Sequence, residues 1–197
     1  MFIDIRRISL DQLALYATVS IAYRVESVLR VEVIDGGLGG LRLVEERLAE
    51  PYVKDYDAQG EESCGLSNIW PREFDISRWG LFLAYGGDRP AGAATVAVDT
   101  EGIYMLEGRK DLAVLWDIRV QPGARGQGVG TALLDHAAAW ARQRGCSQLK
   151  VETQNVNVPA CRFYLARGCH LGAIHRYGYR GCPEVADEVM LLWYLNL

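Results

Sequence analysis

Arg125-Gly126-Gln127-Gly128-Val129-Gly130-Thr131 stands between an apolar run that alternates like a strand, Leu112 to Val120, and a segment with helical periodicity, Val129 to Arg144. A glycine-rich turn that opens a helix leaves several backbone N–H groups without intrahelical acceptors. They point one way and carry the positive end of the helix dipole. The stretch therefore reads as a phosphate site. Glycine suits it because a side chain would hold a bulky diphosphate away from the backbone, and because such turns need positive φ at some positions.

Spacing separates the phosphate chemistries. A nucleotide triphosphatase loop requires Lys and then Ser/Thr after its last glycine, where Val129 and Gly130 follow Gly128 instead. The dinucleotide pattern G-x-G-x-x-G needs glycine at Thr131, although an acidic residue about twenty positions on is present in Glu152. What fits residue for residue is Arg-x-x-Gly-x-Gly, as Arg125, Gly128 and Gly130. This is the acetyl-CoA pyrophosphate signature of the GCN5-related N-acetyltransferases, and the sequence resembles that superfamily.

Composition narrows the classes. At 197 residues the chain is long enough for one domain with a substantial core, and 1–197 is taken as a single domain. Half the residues are apolar, yet no run approaches the roughly 20 needed to span a bilayer. The start, Met1 to Arg7, has no basic segment followed by an apolar h-region, so a cytoplasmic location is expected. Cys64, Cys146, Cys161, Cys169 and Cys182 are odd in number and form no C-x-x-C pair, which suggests reduced thiols rather than a disulfide framework or a zinc site. Charge is divided: residues 1–108 hold 10 Lys+Arg against 18 Asp+Glu, whereas residues 109–180 hold 11 against 4. The basic section carries the phosphate loop, as a ligand with several phosphates requires, and the acidic half suits a cationic acceptor. Ordinary solvated faces account for the same division equally well.

Along the chain, Phe2 to Arg7 reads as a strand and Leu10 to Val19 as a short helix. Val25 to Val33 and Leu41 to Leu48 follow as β-like runs around Gly36-Gly37-Leu38-Gly39-Gly40, and Glu50 to Asp75 reads as a loop. Trp79 to Tyr85 and Ala91 to Val98 form a hairpin through Gly86-Gly87-Asp88-Arg89-Pro90. Leu112 to Val120 is a central strand, with Val114, Trp116, Ile118 and Val120 on one face and Leu115, Asp117 and Arg119 on the other. The helix after it stops at Gly145, and Gln148 to Gln154 completes a right-handed parallel crossover. Asn157 opens a shorter helix that ends at Gly168, and Leu171 to Tyr179 and Val189 to Leu195 are the last strands.

Within the superfamily the chain is most like the streptothricin acetyltransferases, through Leu115-Trp116-Asp117-Ile118-Arg119-Val120, Lys150-Val151-Glu152-Thr153-Gln154-Asn155, Asn157-Val158-Pro159-Ala160-Cys161-Arg162-Phe163-Tyr164 and Val189-Met190-Leu191-Leu192-Trp193-Tyr194. The likeness covers Trp79 to the C-terminus well and the first 75 residues loosely. It implies an α/β fold: a mixed, mostly antiparallel sheet with a central splayed parallel strand pair and flanking helices. It also implies acetyl-CoA between the strand ending near Val120 and that of Gln148 to Gln154. Backbone amides of Arg125, Gly126, Gln127, Gly128, Val129, Gly130 and Thr131 would hold the pyrophosphate, with main chain near Ile118 and Val120 pairing with the pantetheine. Asn157 and Tyr164 match superfamily positions near the cofactor.

Chemistry sets the remaining requirements. An alkyl amine has a pKa near 10, so at neutral pH only about one molecule in a thousand or fewer is a free nucleophile. A base or a proton-accepting water chain is needed. Direct attack on the thioester makes an oxyanion, for which a main-chain amide of the central strand is the expected donor. Tyr164 corresponds to the superfamily's general acid for the leaving thiolate; packing beside Phe163 is its alternative. No motif fixes the base. Asp117 and Glu152 are the candidates, with ion pairs to Arg119 or Lys150 as the alternative for each. Glu50, Asp55, Asp57, Glu61 and Glu62 are candidates for attracting a polycation. His136, His170 and His175 lack metal-like spacing, no metal is expected, and Cys161 has no motif-placed activator.

The function that follows is acetylation of a primary amine by acetyl-CoA in a ternary complex, with the β-lysyl amine of streptothricin as acceptor and antibiotic resistance as the consequence. Acetylation of a protein N-terminus or lysine, or a non-catalytic acyl-CoA sensor, are the alternatives. The partner is a small cationic amine rather than nucleic acid or membrane. A homodimer is compatible with the sequence.

Overall fold

The computed structural model describes residues 2–59 and 69–197. In chain order the elements are β1 (Asp4–Arg7), α1 (Leu13–Tyr16), β2 (Tyr23–Val33), β3 (Leu41–Lys54), α2 (Trp70–Glu73), β4 (Gly80–Gly86), β5 (Arg89–Val98), β6 (Leu112–Val120), α3 (Val129–Arg142), β7 (Gln148–Gln154), α4 (Val158–Ala166), β8 (His170–His175) and β9 (Met190–Asn196). The fold is mixed α/β, with a mostly antiparallel sheet and one parallel pair, β6 and β7. Contacts divide the chain into two units. The first holds 1–23, 55–150 and 196–197; the second holds 24–54 and 151–195.

In the first unit β1, β4, β5 and β6 lie side by side and pair antiparallel. A two-residue turn joins β4 to β5, and Gly87 takes φ 76° at its first position, where a side chain would be strained. One face of this sheet buries Leu81, Leu83, Ala93, Ala97 and Val114 against Tyr16, Trp70 and Trp79. On the other face lies α3, whose Trp140 and His136 meet the Phe82 ring. The approach is close at Gly92, where a Cβ would lie 2.7 Å from Val129 and 2.9 Å from Leu133.

Two stretches differ from expectation here. The helix expected over 10–19 is a 3-10 turn, Leu10–Gln12, followed by the single turn of α1. The Thr18 hydroxyl donates to the Leu15 carbonyl at 2.7 Å, which competes with the helical ladder and ends it. The stretch expected to be a loop over 50–75 contains the end of β3 and α2, whose Trp70 is 1% exposed. Residues 60–68, with Glu61, Glu62 and Cys64, lie outside the described residues.

In the second unit β2 and β3 fold back on each other as a two-stranded sheet. The end of β7 runs beside β9, and β9 pairs antiparallel with β8. Asn155, just past β7, ties these pieces together. Its backbone N–H donates to the Val189 carbonyl and its Oδ1 accepts from the Val189 N–H, while its carbonyl accepts from the Leu29 N–H and its Nδ2 donates to the Leu29 carbonyl. All its polar groups are thereby satisfied in a buried position. Trp193 Nε1 donates to Thr153 Oγ1 at 2.9 Å, which fixes β9 against β7.

Candidate active site

β6 does not keep a strict two-residue alternation. Thr95 pairs with Asp117 but Val96 with Leu115, so Trp116 is an extra residue in a β-bulge. Beyond it the faces exchange. Asp117 and Arg119 stand opposite Thr95 and Ala93, on the side of Tyr16, whereas Ile118 and Val120 stand opposite Ala94 and Gly92, on the side of α3. This reverses the expectation that Ile118 and Val120 share a face with Val114.

The glycine stretch turns from β6 into α3 through a 3-10 turn at Pro122–Ala124. Gly126 takes φ 73° and Gly128 φ 88°, and Gly128 is the N-cap of the 14-residue α3. No side chain caps the helix. Its first amides, at Val129, Gly130 and Thr131, have no carbonyl one turn back within the helix. A Cβ at Gly126 would meet nothing within 4 Å, so glycine is required there by φ and not by crowding. The Gln127 side chain donates to the Gly123 carbonyl at 2.8 Å and closes the turn.

Arg125 acts on the protein's own backbone. Its Nε donates to the Val120 carbonyl at 3.0 Å and its Nη2 to the Ala22 carbonyl at 2.5 Å. The guanidinium thus fastens the loop to the end of β6.

Asp117 lies in a network within the first unit. Tyr16 donates its hydroxyl to Asp117 Oδ2 at 2.5 Å and accepts from Thr95 Oγ1 at 3.0 Å. Arg119, with its side chain 1% exposed, donates through Nε to the same Asp117 oxygen at 2.8 Å. It also donates to the Val19 carbonyl and to both oxygens of Asp57. Burial would lower the Arg119 pKa, but Asp117, Tyr16 and Asp57 raise it above the ordinary guanidinium value. Burial and the Asp117 charge push the Tyr16 phenol up, so it remains a donor. Asp117 therefore has the ion pair with Arg119, and Asp57 is drawn into it rather than left as a free surface charge. Asp55 accepts from the Asp57 amide at 3.0 Å and shapes that turn; Glu50 is exposed on β3.

The second unit holds the other candidates. Glu152 Oε1 accepts from the Tyr179 hydroxyl at 2.6 Å, and Gln154 Nε2 donates to the Tyr179 oxygen at 3.1 Å. Lys150, the last residue of the first unit's 55–150 span, pairs there with Glu107 at 2.7 Å. Asn157 caps α4, its Oδ1 accepting from the Ala160 amide at 3.2 Å, with Pro159 in the first turn. That leaves the Asn157 NH2 as the part able to meet a ligand. Tyr164 is buried on α4, edge-on to Phe163 at 5.2 Å. Cys161 is buried with its thiol 3.4 Å from Thr153 Oγ1, and burial raises its pKa, opposite to what a nucleophile needs. Sequence reasoning passed over Tyr16 and Tyr179. Their partners lie 101 and 27 residues away, and neither sits in a recognisable motif.

A model of the acetyltransferase (GNAT) family matches residues 42–169. The chain belongs to the GNAT acetyltransferase family. It is an acetyl-CoA-dependent transferase related to streptothricin acetyltransferases. Streptothricin acetyltransferase A of Bacillus subtilis (strain 168) is 30% identical over 150 residues, covering 76% of each chain. The crystal structure of nourseothricin acetyltransferase is 26% identical with a TM-score of 0.76, covering 100% of this chain and 99% of that one. A Bacillus anthracis str. Ames protein, solved in complex with acetyl coenzyme A, has the same fold with a TM-score of 0.75 at 23% identity, covering 100% of this chain and 98% of that one. The matched span includes Arg125, Gly128 and Gly130. No helix among the described residues is long and apolar enough to cross a membrane.

Proposed function

We propose that this GNAT enzyme transfers acetyl from acetyl-CoA to the β-lysyl amine of a streptothricin-type acceptor, removing a positive charge that the antibiotic carries. The observation that carries the cofactor half is the turn in which Gly126 and Gly128 take positive φ and leave the first amides of α3 uncapped. Those amides suit a pyrophosphate, because they supply several donors and a helix dipole at once. The acceptor half rests on the likeness to streptothricin acetyltransferase A over three quarters of both chains.

Acetyl-CoA supplies an activated thioester when bound. The amides from Arg125 to Thr131 hold its pyrophosphate, main chain near Ile118 and Val120 aligns its pantetheine arm, and the Asn157 NH2 adds a donor. Glu152 takes the proton of the acceptor ammonium, directly or through water. Asp117 is assigned the structural pair with Arg119, because a carboxylate whose charge is held by a buried guanidinium is a poor base. Tyr164 returns a proton to the thiolate. The amine attacks directly, with no acetylated side chain between.

The test is product analysis after incubation with acetyl-CoA and streptothricin. Mass spectrometry with fragmentation finds one acetyl group, on the β-lysyl amine, and no acetyl on any cysteine of the enzyme. A stable acetyl-cysteine on the turnover pathway contradicts the direct mechanism; acetyl on another part of the antibiotic contradicts the acceptor assignment.

A further inference from the structure

Glu152 and Gln154 are two apart on β7, so their side chains emerge on one face. Both meet one phenol, that of Tyr179, from the segment between β8 and β9. The direction of this chain is set by its ends. An amide N–H can only donate, so Gln154 occupies the Tyr179 oxygen as donor and the phenol's own hydrogen turns to the carboxylate. We infer that Tyr179 is a positioning residue for the acetyl-transfer reaction, holding the Glu152 carboxylate in place and in its charged form. The inference rests on the role proposed for Glu152.

The surrounding backbone is built to deliver this phenol. Tyr179 is 8% exposed although it belongs to a connection rather than a strand. Its carbonyl accepts from the Cys182 amide at 2.8 Å, which sets the turn after it. Before it, Gly178 passes so near β9 that a Cβ would lie 3.0 Å from Met190 Cε and 3.1 Å from its Cβ. A larger residue there would need the Met190 side chain to give way by a few tenths of an ångström. Burial, and then the Glu152 charge, raise the phenol above its ordinary range, so it is a donor at every working pH.

Other charged groups act on the same place. Glu188 acts on Tyr179 through its charge and is itself paired with Lys54 at the end of β3; Tyr52 on β3 also responds to Glu188. The hydroxyl of Tyr179 makes the direct hydrogen bond, and a bond to the charged form of a carboxylate favours that form.

The test is Tyr179→Phe, which removes the hydroxyl alone. With streptothricin, kcat/KM for the amine falls about tenfold or more, the scale of a lost hydrogen bond to a charged group, while the KM for acetyl-CoA stays within about twofold. The acidic limb of the kcat/KM profile moves to higher pH, because a carboxylate without its donor protonates more readily. In a Glu152→Gln background the same change has no further effect. A readout independent of any acceptor is the carbon-13 titration of the Glu152 carboxyl, identified by its loss in Glu152→Gln; its midpoint rises in Tyr179→Phe. An unmoved midpoint overturns the positioning of Glu152 by Tyr179 and leaves the proposed reaction untouched. A midpoint that moves while the rate profile does not shows that Glu152 is not the proton acceptor and overturns the catalytic part with it. If Tyr179→Phe does not fold, Gln154→Leu removes only the outer donor and produces smaller shifts of the same sign; no shift overturns the inference.

Discussion

The hydroxyl of Tyr16 donates to Asp117 at 2.5 Å, and the same carboxylate oxygen receives Arg119 Nε at 2.8 Å. A short helix near the start of the chain is thereby fixed to the strand that leads into the glycine-rich loop. Neutralising Asp117 removes the carboxylate that meets Nε of the buried Arg119, while Asp57 stays on its Nη1. Asp117→Asn is expected to cost about 3–5 kcal/mol, the scale of a broken buried ion pair. Tyr16→Phe should cost about 1.5–3 kcal/mol, that of a hydrogen bond to a charged group. Urea unfolding measures both. A loss below about 0.5 kcal/mol in Asp117→Asn, with kcat strongly reduced, would return Asp117 to the list of bases.

Gly128 holds φ 88° at the start of α3 with only Ile3 Cδ1, at 4.0 Å, near where a Cβ would go. Left-handed backbone costs an L-residue about 1–2 kcal/mol, so Gly128→Ala should lower stability by about that much and weaken acetyl-CoA binding. Gly128→Asp adds a negative charge beside the pyrophosphate. Calorimetry should show acetyl-CoA affinity down by at least about tenfold, more than for the alanine variant. Unchanged affinity in the aspartate variant would mean that the phosphates bind elsewhere.

Gly92 separates β5 from α3. A methyl there would sit 2.7 Å from Val129 Cγ1 and 3.0 Å from the Arg119 carbonyl, with the backbone unable to yield as a side chain could. Gly92→Ala is expected to destabilise by about 1–3 kcal/mol through overpacking and to displace the start of α3. The denaturation midpoint and the acetyl-CoA affinity should therefore fall together. A stability loss with normal affinity would show that the loop is positioned independently of this contact.

Burial pushes the Cys169 thiol up to about 11 from an ordinary 9.0. A group whose pKa is raised on folding contributes its full stability below the unfolded value and loses it as pH climbs through the folded one. The window is pH 9 to 11. Stability should decline across it, and Cys169→Ala should decline less. Equal declines in the two proteins would exclude Cys169 as a source.

Much of the site's frame was legible because punctuation is local. β6 and β7 begin and end where the alternation and the residues Pro122, Gly123 and Gly145 put them, and Asn157 with Pro159 marks the start of α4. The bulge was not legible, since Trp116 is apolar and fits either register. β3 runs through Pro51 to Lys54, where the sequence reads as a loop. Proline breaks a central strand, but in a two-stranded sheet each strand has an open side that needs no N–H donor. In the sequence Arg119 reads as an alternative ion-pair partner for a candidate base; its burial depends on Val19, Asp57 and Tyr16, which only the tertiary fold brings to it. In the sequence Tyr179 reads as the end of a strand, and its link to Glu152 depends on how the chain turns after β8.

The central claim is amine acetylation by this GNAT enzyme. Thiol release from acetyl-CoA, followed with streptothricin, aminoglycosides, polyamines and lysine peptides in parallel, tests it most directly. Fast release is predicted with streptothricin and slow or no release with the others, and Tyr164→Phe should slow the streptothricin reaction without weakening acetyl-CoA binding. Release with lysine peptides and none with streptothricin would contradict the account.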